Sequence, residues 1–538
     1  MRAFPGTVMI VLMGLTAIPL EGGSCESLSE LKLANTTITS AVNVAAGTFT
    51  LPSGSPSEPG RSPAFDRLPS FCRVQGIIQP SGDSQIGFEV WLPVSGWNGK
   101  YQGIGNGGFA GYINYAGLAD AVAGKYATAS TNTGHQSANA RGGADWARGH
   151  PERIIDFGYR AIHETAVAAK AVIGAFYGQN PSHSYFSSCS TGGRQALMEA
   201  QRFPADYDGI IAGAAPIYYT DLISAAATYF AHAASNGGSS YFGASKLPFI
   251  QKAVLDACDT LDGVKDGLLE NPTRCHFDLS KLLCAGAETD RCLTKSQLGT
   301  LKKIYDGVRD VRGNHIFPGY SPGGESEERG WGVWITGKKS IAESAGYFFV
   351  TEFFRNMVYS DPSWNVRTFD WERDKKAADD KLARILNATD PDLAEFKKRG
   401  GKLILYHGWN DASIPALNSV DYYESMLSKV EKKETDEFVR LFMVPGMQHC
   451  GGGTGPNSFG QLSVARGDPE YDMGAALERW VEKGVAPNRI IATKFKSNDI
   501  PASGIVRTRP LCPYPQVAKY KGSGSTDEAA NFVCTESK

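Results

Sequence analysis

The stretch Ser184-Tyr185-Phe186-Ser187-Ser188-Cys189-Ser190-Thr191-Gly192-Gly193, continued to Gly209-Ile210-Ile211-Ala212-Gly213, decides the fold. Residues 184–188 read as a short strand, 192–203 as a helix and 209–213 as the next buried strand. Strand, sharp turn, helix and strand make a parallel β/α unit, the building block of an α/β sheet. Ser190 stands at the sharp turn. A nucleophile held there needs small residues two before and two after it, because bulky ones would collide with the adjoining strand and helix. Ser188 and Gly192 meet that need, and the helix N-terminus behind them would help hold a developing oxyanion. Alone the motif is weak, since a serine capping an ordinary helix would look the same.

Upstream of this unit the chain is β-rich to about residue 100, as in Ile86-Gly87-Phe88-Glu89-Val90-Trp91-Leu92. A glycine-dense loop follows at 103–111, and alanines with helical apolar spacing predict a long helix over 155–177. Downstream, the β/α alternation stops. Residues 217–389 hold four clustered cysteines, an acidic run and many aromatics. Strand-like runs return at Lys402-Leu403-Ile404-Leu405-Tyr406 and over 438–444. The expected architecture is therefore one α/β sheet domain, residues 24–216 and 390–538, interrupted by an insertion over 217–389 that covers the site.

The returning strands carry two further groups. Asp411 follows the strand at 402–406, and His449 follows the one at 438–444. Serine, acid and base in that order, each just past a strand, is the arrangement of an α/β hydrolase. His449 would take the Ser190 proton, and Asp411 would orient the imidazole and stabilise its charged form. Singly, Asp411 could be a turn former and His449 a loop histidine. Three residues in register are harder to dismiss.

Ten cysteines and the N-terminus point to export. Met1 and Arg2 precede an apolar run from about Val8 to Leu20, which is too short to span a bilayer and fits a signal peptide over 1–23. No cysteine pair has zinc-knuckle spacing, so five disulfides are expected. Near neighbours suggest Cys25–Cys72, Cys258–Cys275, Cys284–Cys292 and Cys512–Cys534, which leaves Cys189 with Cys450. That last bond would tie the nucleophile loop to the base loop. The 54 basic and 56 acidic side chains give a net charge of -2, so neither nucleic acid nor an anionic membrane is favoured as a partner.

Cys189-Ser190, Asp411 and His449-Cys450 resemble the Cys-Ser, Asp, His-Cys signature of the tannase and feruloyl esterase family. The likeness extends to Cys-Ser-Thr-Gly-Gly-Arg-Gln at 189–195, Asp-Gly-Ile-Ile-Ala-Gly at 208–213 and Tyr-His-Gly-Trp at 406–409. The usual glycine before Cys-Ser is Ser188 here, which bears on the tightness of the turn. The resemblance implies an α/β-hydrolase core with an inserted lid, and hydrolysis of aromatic carboxylic esters that are free or linked to polysaccharide. Feruloyl-type activity is the first expectation. Galloyl esters and a terephthalate monoester are alternatives within the family, and a catalytically inactive binding protein on the same fold is one outside it. The oxyanion hole of such folds would take the backbone N–H of Thr191 and one from Gly107 or Gly108.

Three aspartates lie in Cys258-Asp259-Thr260-Leu261-Asp262-Gly263-Val264-Lys265-Asp266-Gly267-Leu268. Its hard oxygens could hold a cation such as calcium, but by composition alone an acidic surface turn is slightly the better reading. The segment resembles the family's lid calcium site, which implies a structural Ca2+ held by Asp259, Asp262 and Asp266 with the carbonyls of Val264 and Leu268. No organic cofactor is implied. The insertion also carries Tyr320, Trp331, Trp334, Tyr347, Phe348, Phe349, Phe353, Phe354 and Tyr359. Most should form lid core and some should line an apolar acyl pocket. Arg355 could grip a substrate carboxylate, although a salt bridge is its more ordinary use.

Overall fold

A computed structural model describes residues 22–536 apart from 56–64, 138–141, 236–237, 311, 463–464, 466 and 498–499. Most of the expected signal peptide, residues 1–21, lies outside the described residues.

Among the described residues nine strands form one sheet. In chain order they are β1 (Thr36–Val44), β2 (Phe71–Ile78), β3 (Ile86–Pro93), β4 (Lys100–Ile104), β5 (Ala127–Thr131), β6 (His183–Cys189), β7 (Gly209–Gly213), β8 (Lys402–Gly408) and β9 (Val439–Val444). Their order across the sheet is β1-β2-β3-β5-β4-β6-β7-β8-β9. The first three run antiparallel, β3 pairs antiparallel with β5, and every pairing from β5 to β9 is parallel.

Side-chain alternation decides which helices cover which face. In β8, Leu403 and Leu405 enter the same apolar cluster as Ala161–Ile173 and Ala196–Ala200. Those residues belong to helices α2 (Ala161–Tyr177) and α3 (Thr191–Arg202). Ile404 and Tyr406 point the other way, into a cluster with Leu118, Val122, Met473 and Trp480. These last come from α1 (Tyr115–Ala123) and from a late helix, Met473–Lys483. Strand β7, Gly-Ile-Ile-Ala-Gly, is buried along its whole length, as a central parallel strand between two helical layers must be.

Between β7 and β8 the chain leaves the sheet and builds a lid with its own core. The lid starts on α4 (Tyr219–Ala233), and Phe230, Trp331, Phe353 and Phe354 are fully buried in it. Phe109, Phe157 and Ala412 from the sheet domain enter the same cluster, so lid and core share an apolar floor. The protein is an α/β hydrolase with an inserted lid domain.

The last part of the chain, within the expected second core segment 390–538, also forms two small hairpins. After the late helix, β10 (Ile490–Phe495) pairs with β11 (Ile505–Leu511), and β12 (Gln516–Tyr520) with β13 (Phe532–Glu536), and none of them joins the main sheet. Ile490, Ala492 and Leu511 of β10 and β11 still enter the apolar cluster of the sheet, and the C-terminal strands also pack on the acidic loop of the lid. Val264 shares a cluster with Cys512, Ala518 and Phe532, Ala518 N–H donates to Glu270, and Arg509 pairs with Asp266 at 2.6 Å. The expected disulfides are all formed, and no cysteine is free.

Candidate active site

Because β6, β7, β8 and β9 lie side by side in that order and run parallel, their C-terminal ends meet at one edge of the sheet. Ser190 follows β6, Asp411 the end of β8 and His449 the end of β9. Ser190 has φ 63° and ψ -128°, a left-handed conformation that lifts its hydroxyl out of the turn. The turn is as tight as the motif requires. A Cβ on Gly192 would stand 1.9 Å from Ser188 Oγ, and one on Gly193 would stand 2.3 Å from the Gly213 carbonyl. Ser188 therefore fits where glycine is usual, provided that position 192 has no side chain.

The three groups form one hydrogen-bonded chain. His449 Nε2 lies 2.9 Å from Ser190 Oγ, and His449 Nδ1 lies 2.7 Å from Asp411 Oδ2. With the proton on Nδ1 donated to the carboxylate, Nε2 is free to accept from the serine hydroxyl. Asp411 is buried and its other oxygen, Oδ1, accepts the backbone N–H groups of Ser413 and Ile414. Burial pushes its carboxyl up, but the charge of His449 and the hydrogen bonds from His407 and His449 outweigh it and hold the group well below the ordinary carboxylate range. Cys189 and Cys450 are bonded, with Cα atoms 5.9 Å apart, beside Ser190 and His449 respectively. The lid adds Trp334, whose ring meets the His449 imidazole edge-to-face at 5.3 Å.

The oxyanion loop is resolved further than the sequence allowed. Thr191 Oγ1 donates to the Gly108 carbonyl at 2.6 Å, which joins the two expected halves of the hole. Of the two candidate glycines, Gly107 is engaged elsewhere. Its N–H donates to the Tyr112 hydroxyl at 3.1 Å, and it does not line the pocket over Ser190, whereas Gly108 and Thr191 do.

That pocket is walled by Tyr219, Leu222, Tyr229, Tyr320, Trp334 and Phe349. Of the aromatic residues singled out in the insertion, Tyr320, Trp334 and Phe349 reach it, while Trp331, Phe353 and Phe354 are lid core. No Asp, Glu, Lys or Arg lines it among the described residues. Arg355 is not at this site, and its Nε donates to the Trp364 carbonyl at 2.8 Å.

In the acidic loop, Asp259 Oδ1 accepts from the N–H groups of Asp266 and Gly267, and Asp262 Oδ1 from that of Val264. The second oxygen of each lies outside these bonds. The Asp266 carboxylate is turned away, toward Arg507 and Arg509. Among the described residues, a different trio draws its ligand atoms within 4.8 Å of one another: His163, Glu199 and Asp206. None of these lines the pocket at Ser190.

Comparison with known proteins then bears on this geometry. Residues 72–535 match the family model described as tannase and feruloyl esterase. The chain belongs to the tannase and feruloyl esterase family. An esterase of Xanthomonas campestris pv. campestris is 42% identical, over 96% of this chain and 91% of that protein. A probable feruloyl esterase B-2 of Aspergillus terreus is 33% identical over 97% of each. The crystal structure of feruloyl esterase B from Aspergillus oryzae superposes with a TM-score of 0.85 at 29% identity, covering 95% of this chain and 99% of that one. Tannin acyl hydrolase from Aspergillus niger shares the fold, with a TM-score of 0.73 at 22% identity over 94% and 92% of the two chains. As a member of this family, the protein is a carboxylic ester hydrolase.

One residue of this esterase's site had no assigned role in the sequence reading. His407, fully buried on β8, places Nε2 at 3.1 Å from both Asp411 Oδ2 and the Ile414 carbonyl, and Nδ1 at 2.8 Å from Ser419 Oγ. It is a second imidazole on the triad carboxylate. The available signal was a histidine four residues before the acid, in Tyr-His-Gly-Trp, and spacing alone does not say that it turns inward.

Proposed function

We propose that the protein hydrolyses hydroxycinnamoyl-type aromatic esters through an acyl intermediate on Ser190. The observation that carries this reading is the unbroken chain Ser190–His449–Asp411 beneath an uncharged aromatic pocket. In the first half-reaction Ser190 Oγ attacks the ester carbonyl carbon as its proton passes to His449 Nε2. The N–H groups of Thr191 and Gly108 stabilise the oxyanion. Collapse expels the alcohol, which takes the proton from His449. Water repeats the sequence against the acyl-enzyme, with His449 again as base, and releases the aromatic acid. Asp411 keeps the Nδ1 proton in place and stabilises the imidazolium.

The aromatic lining favours a flat acyl group. The lack of a cation there weighs against a terephthalate monoester, whose free carboxylate would be buried without a partner. Galloyl esters remain the second reading within the family, and the complete hydrogen-bonded triad weighs against an inactive binding protein. Turnover of methyl ferulate, methyl gallate, a terephthalate monoester and a short aliphatic ester is the direct test. We expect methyl ferulate to have the largest kcat/KM and the terephthalate monoester the smallest. Rapid cleavage of the aliphatic ester with the aromatic esters untouched would overturn the acyl assignment. A fluorophosphonate should label wild type at Ser190 and leave Ser190→Ala unmodified.

Two further readings belong with this one. Export is supported by five disulfides, and among the described residues no helix is long and apolar enough to cross a membrane. A structural Ca2+ is supported by the donor chemistry of Asp259 and Asp262, each with one oxygen outside the loop's own hydrogen bonds, and the carbonyls of Val264 and Leu268, whereas Asp266 would join them only by giving up its pairing with Arg507 and Arg509. The ion's part would be to brace that loop, not to take part in ester cleavage.

A further inference from the structure

The lid reaches the catalytic loops through one carboxylate. Glu327 Oε1 accepts from Asn410 Nδ2 at 2.9 Å and from Thr454 Oγ1 at 2.6 Å, and its Oε2 accepts from Gln448 Nε2 at 2.9 Å. Asn410 stands immediately before Asp411, and Gln448 immediately before His449. Gln448 Nε2 also donates to the Gly324 carbonyl at 3.1 Å, so the lid loop holds that amide twice. The fit is close enough to exclude side chains around it. A Cβ on Gly324 would lie 2.6 Å from Asn410 Cβ, one on Gly330 would lie 3.2 Å from Gln448 Nε2, and one on Gly453 would lie 3.1 Å from Glu327 Oε2. The two catalytic loops also touch directly, because Asn410 N–H donates to the Met447 carbonyl at 3.1 Å.

We propose that Glu327 is a positioning residue for the triad, setting the Asp411 loop and the His449 loop against each other from the residue preceding each. Only an anionic or otherwise acceptor-only group satisfies three donors at once, which is why a carboxylate and not an amide suits the place. Glu327 does not line the pocket over Ser190, and its contacts are to the residues beside Asp411 and His449, so its removal should show in turnover more than in substrate binding. Displacing attacking and proton-accepting groups by about an ångström can cost on the order of 100-fold in rate.

The proposal rests on the assignment of Ser190, Asp411 and His449 above, and Ser190→Ala tests that assignment separately. Glu327→Gln keeps the size but sets a donor against a donor, and Glu327→Ala removes the group. Both are measured against wild type with 4-nitrophenyl acetate, whose acyl group does not need the aromatic pocket, and with methyl ferulate. Active serine is titrated with a fluorophosphonate and folding is followed by thermal melting. We expect kcat to fall about 10- to 100-fold for both esters, with KM changed by less than about three-fold, and the fluorophosphonate reaction to slow in parallel with kcat. Unchanged turnover per titrated serine in folded Glu327→Gln, even with a lowered melting temperature, would reduce Glu327 to a structural contact. So would a loss confined to KM. Should Glu327→Ala not melt cooperatively, Glu327→Gln decides alone.

Discussion

Ser190 and Cys450 both hold positive φ, at 63° each, in side chains that pay a steric cost there. Such strain is of order 1–3 kcal/mol per residue and persists only where the surroundings over-determine the backbone. Here the surroundings are the Cys189–Cys450 bond, the packed glycines at 192 and 193, and the ladder of β6 against β7. The same logic applies to Asp411, whose two oxygens are filled by two imidazoles and two backbone N–H groups. His407→Phe would remove one donor and leave Ser419 and the Ile414 carbonyl short of a partner. A hydrogen bond to a charged group contributes about 1.5–3 kcal/mol. We therefore expect the variant to melt earlier and to lose about 10-fold in kcat, with KM little changed, whereas His407→Gln should retain more activity. Equal kcat in wild type and folded His407→Phe would show that His449 and the backbone suffice to hold the acid.

At the scale of the element, α3 presents its N-terminus to the active site and its C-terminal part to the core. Glu199, on that buried part, is 1% exposed and neither carboxyl oxygen has a hydrogen-bond donor among the described residues. Burial pushes its pKa well above the ordinary range, and the neighbouring Asp206 carboxylate adds to this, while Lys170 opposes it. His163 also faces the pair, with Nδ1 at 2.6 Å from Asp206. A carboxyl whose pKa is higher in the folded state binds its proton more tightly when folded. The native state is thus favoured at pH values below the unfolded pKa of about 4.5, and that advantage is lost as pH rises above it toward the folded value. Glu199→Gln is neutral throughout. Its melting temperature relative to wild type should rise between pH 5 and pH 8. A difference that stays constant across that range would mean that the proton is not held there in the folded protein.

Across the whole molecule, several remote attachments fix the lid over the sheet. Glu327 holds it to the catalytic loops, the shared apolar cluster holds it to the glycine-rich side of the core, and the C-terminal strands hold its acidic loop. The Cys189–Cys450 bond closes a span of 261 residues that contains the entire lid. For so long a loop the chain-entropy estimate is about 5 kcal/mol. If Ca2+ occupies the acidic loop as proposed, the ion braces the place where lid and C-terminal strands meet. Elemental analysis of desalted protein should then find about one calcium per chain, and chelator should lower the melting temperature with little effect on kcat measured below it. Protein that contains no metal and melts identically in chelator would leave the loop held by Arg507, Arg509 and its apolar contact with the C-terminal strands.

Much of this architecture was legible in the linear chain because it is written in local pattern. The strand–Ser190–helix–strand run, the acid and base each following a strand, and cysteines placed beside both serine and histidine depend on residues within a few positions of one another. What the chain could not disclose are contacts made over long separations by residue types that are common everywhere. Nothing local separates Glu327 from Glu325 or Glu328, marks His407 as turned toward Asp411, or shows that Tyr112 occupies the amide of Gly107. Nor does local pattern foretell that the last strands stay out of the sheet and reach a lid loop some 240 residues earlier. Short-range sequence sets which element forms and where its reactive group sits. Only the packed chain decides which distant donors and acceptors meet, because that depends on burial and on the relative placement of elements that no spacing records.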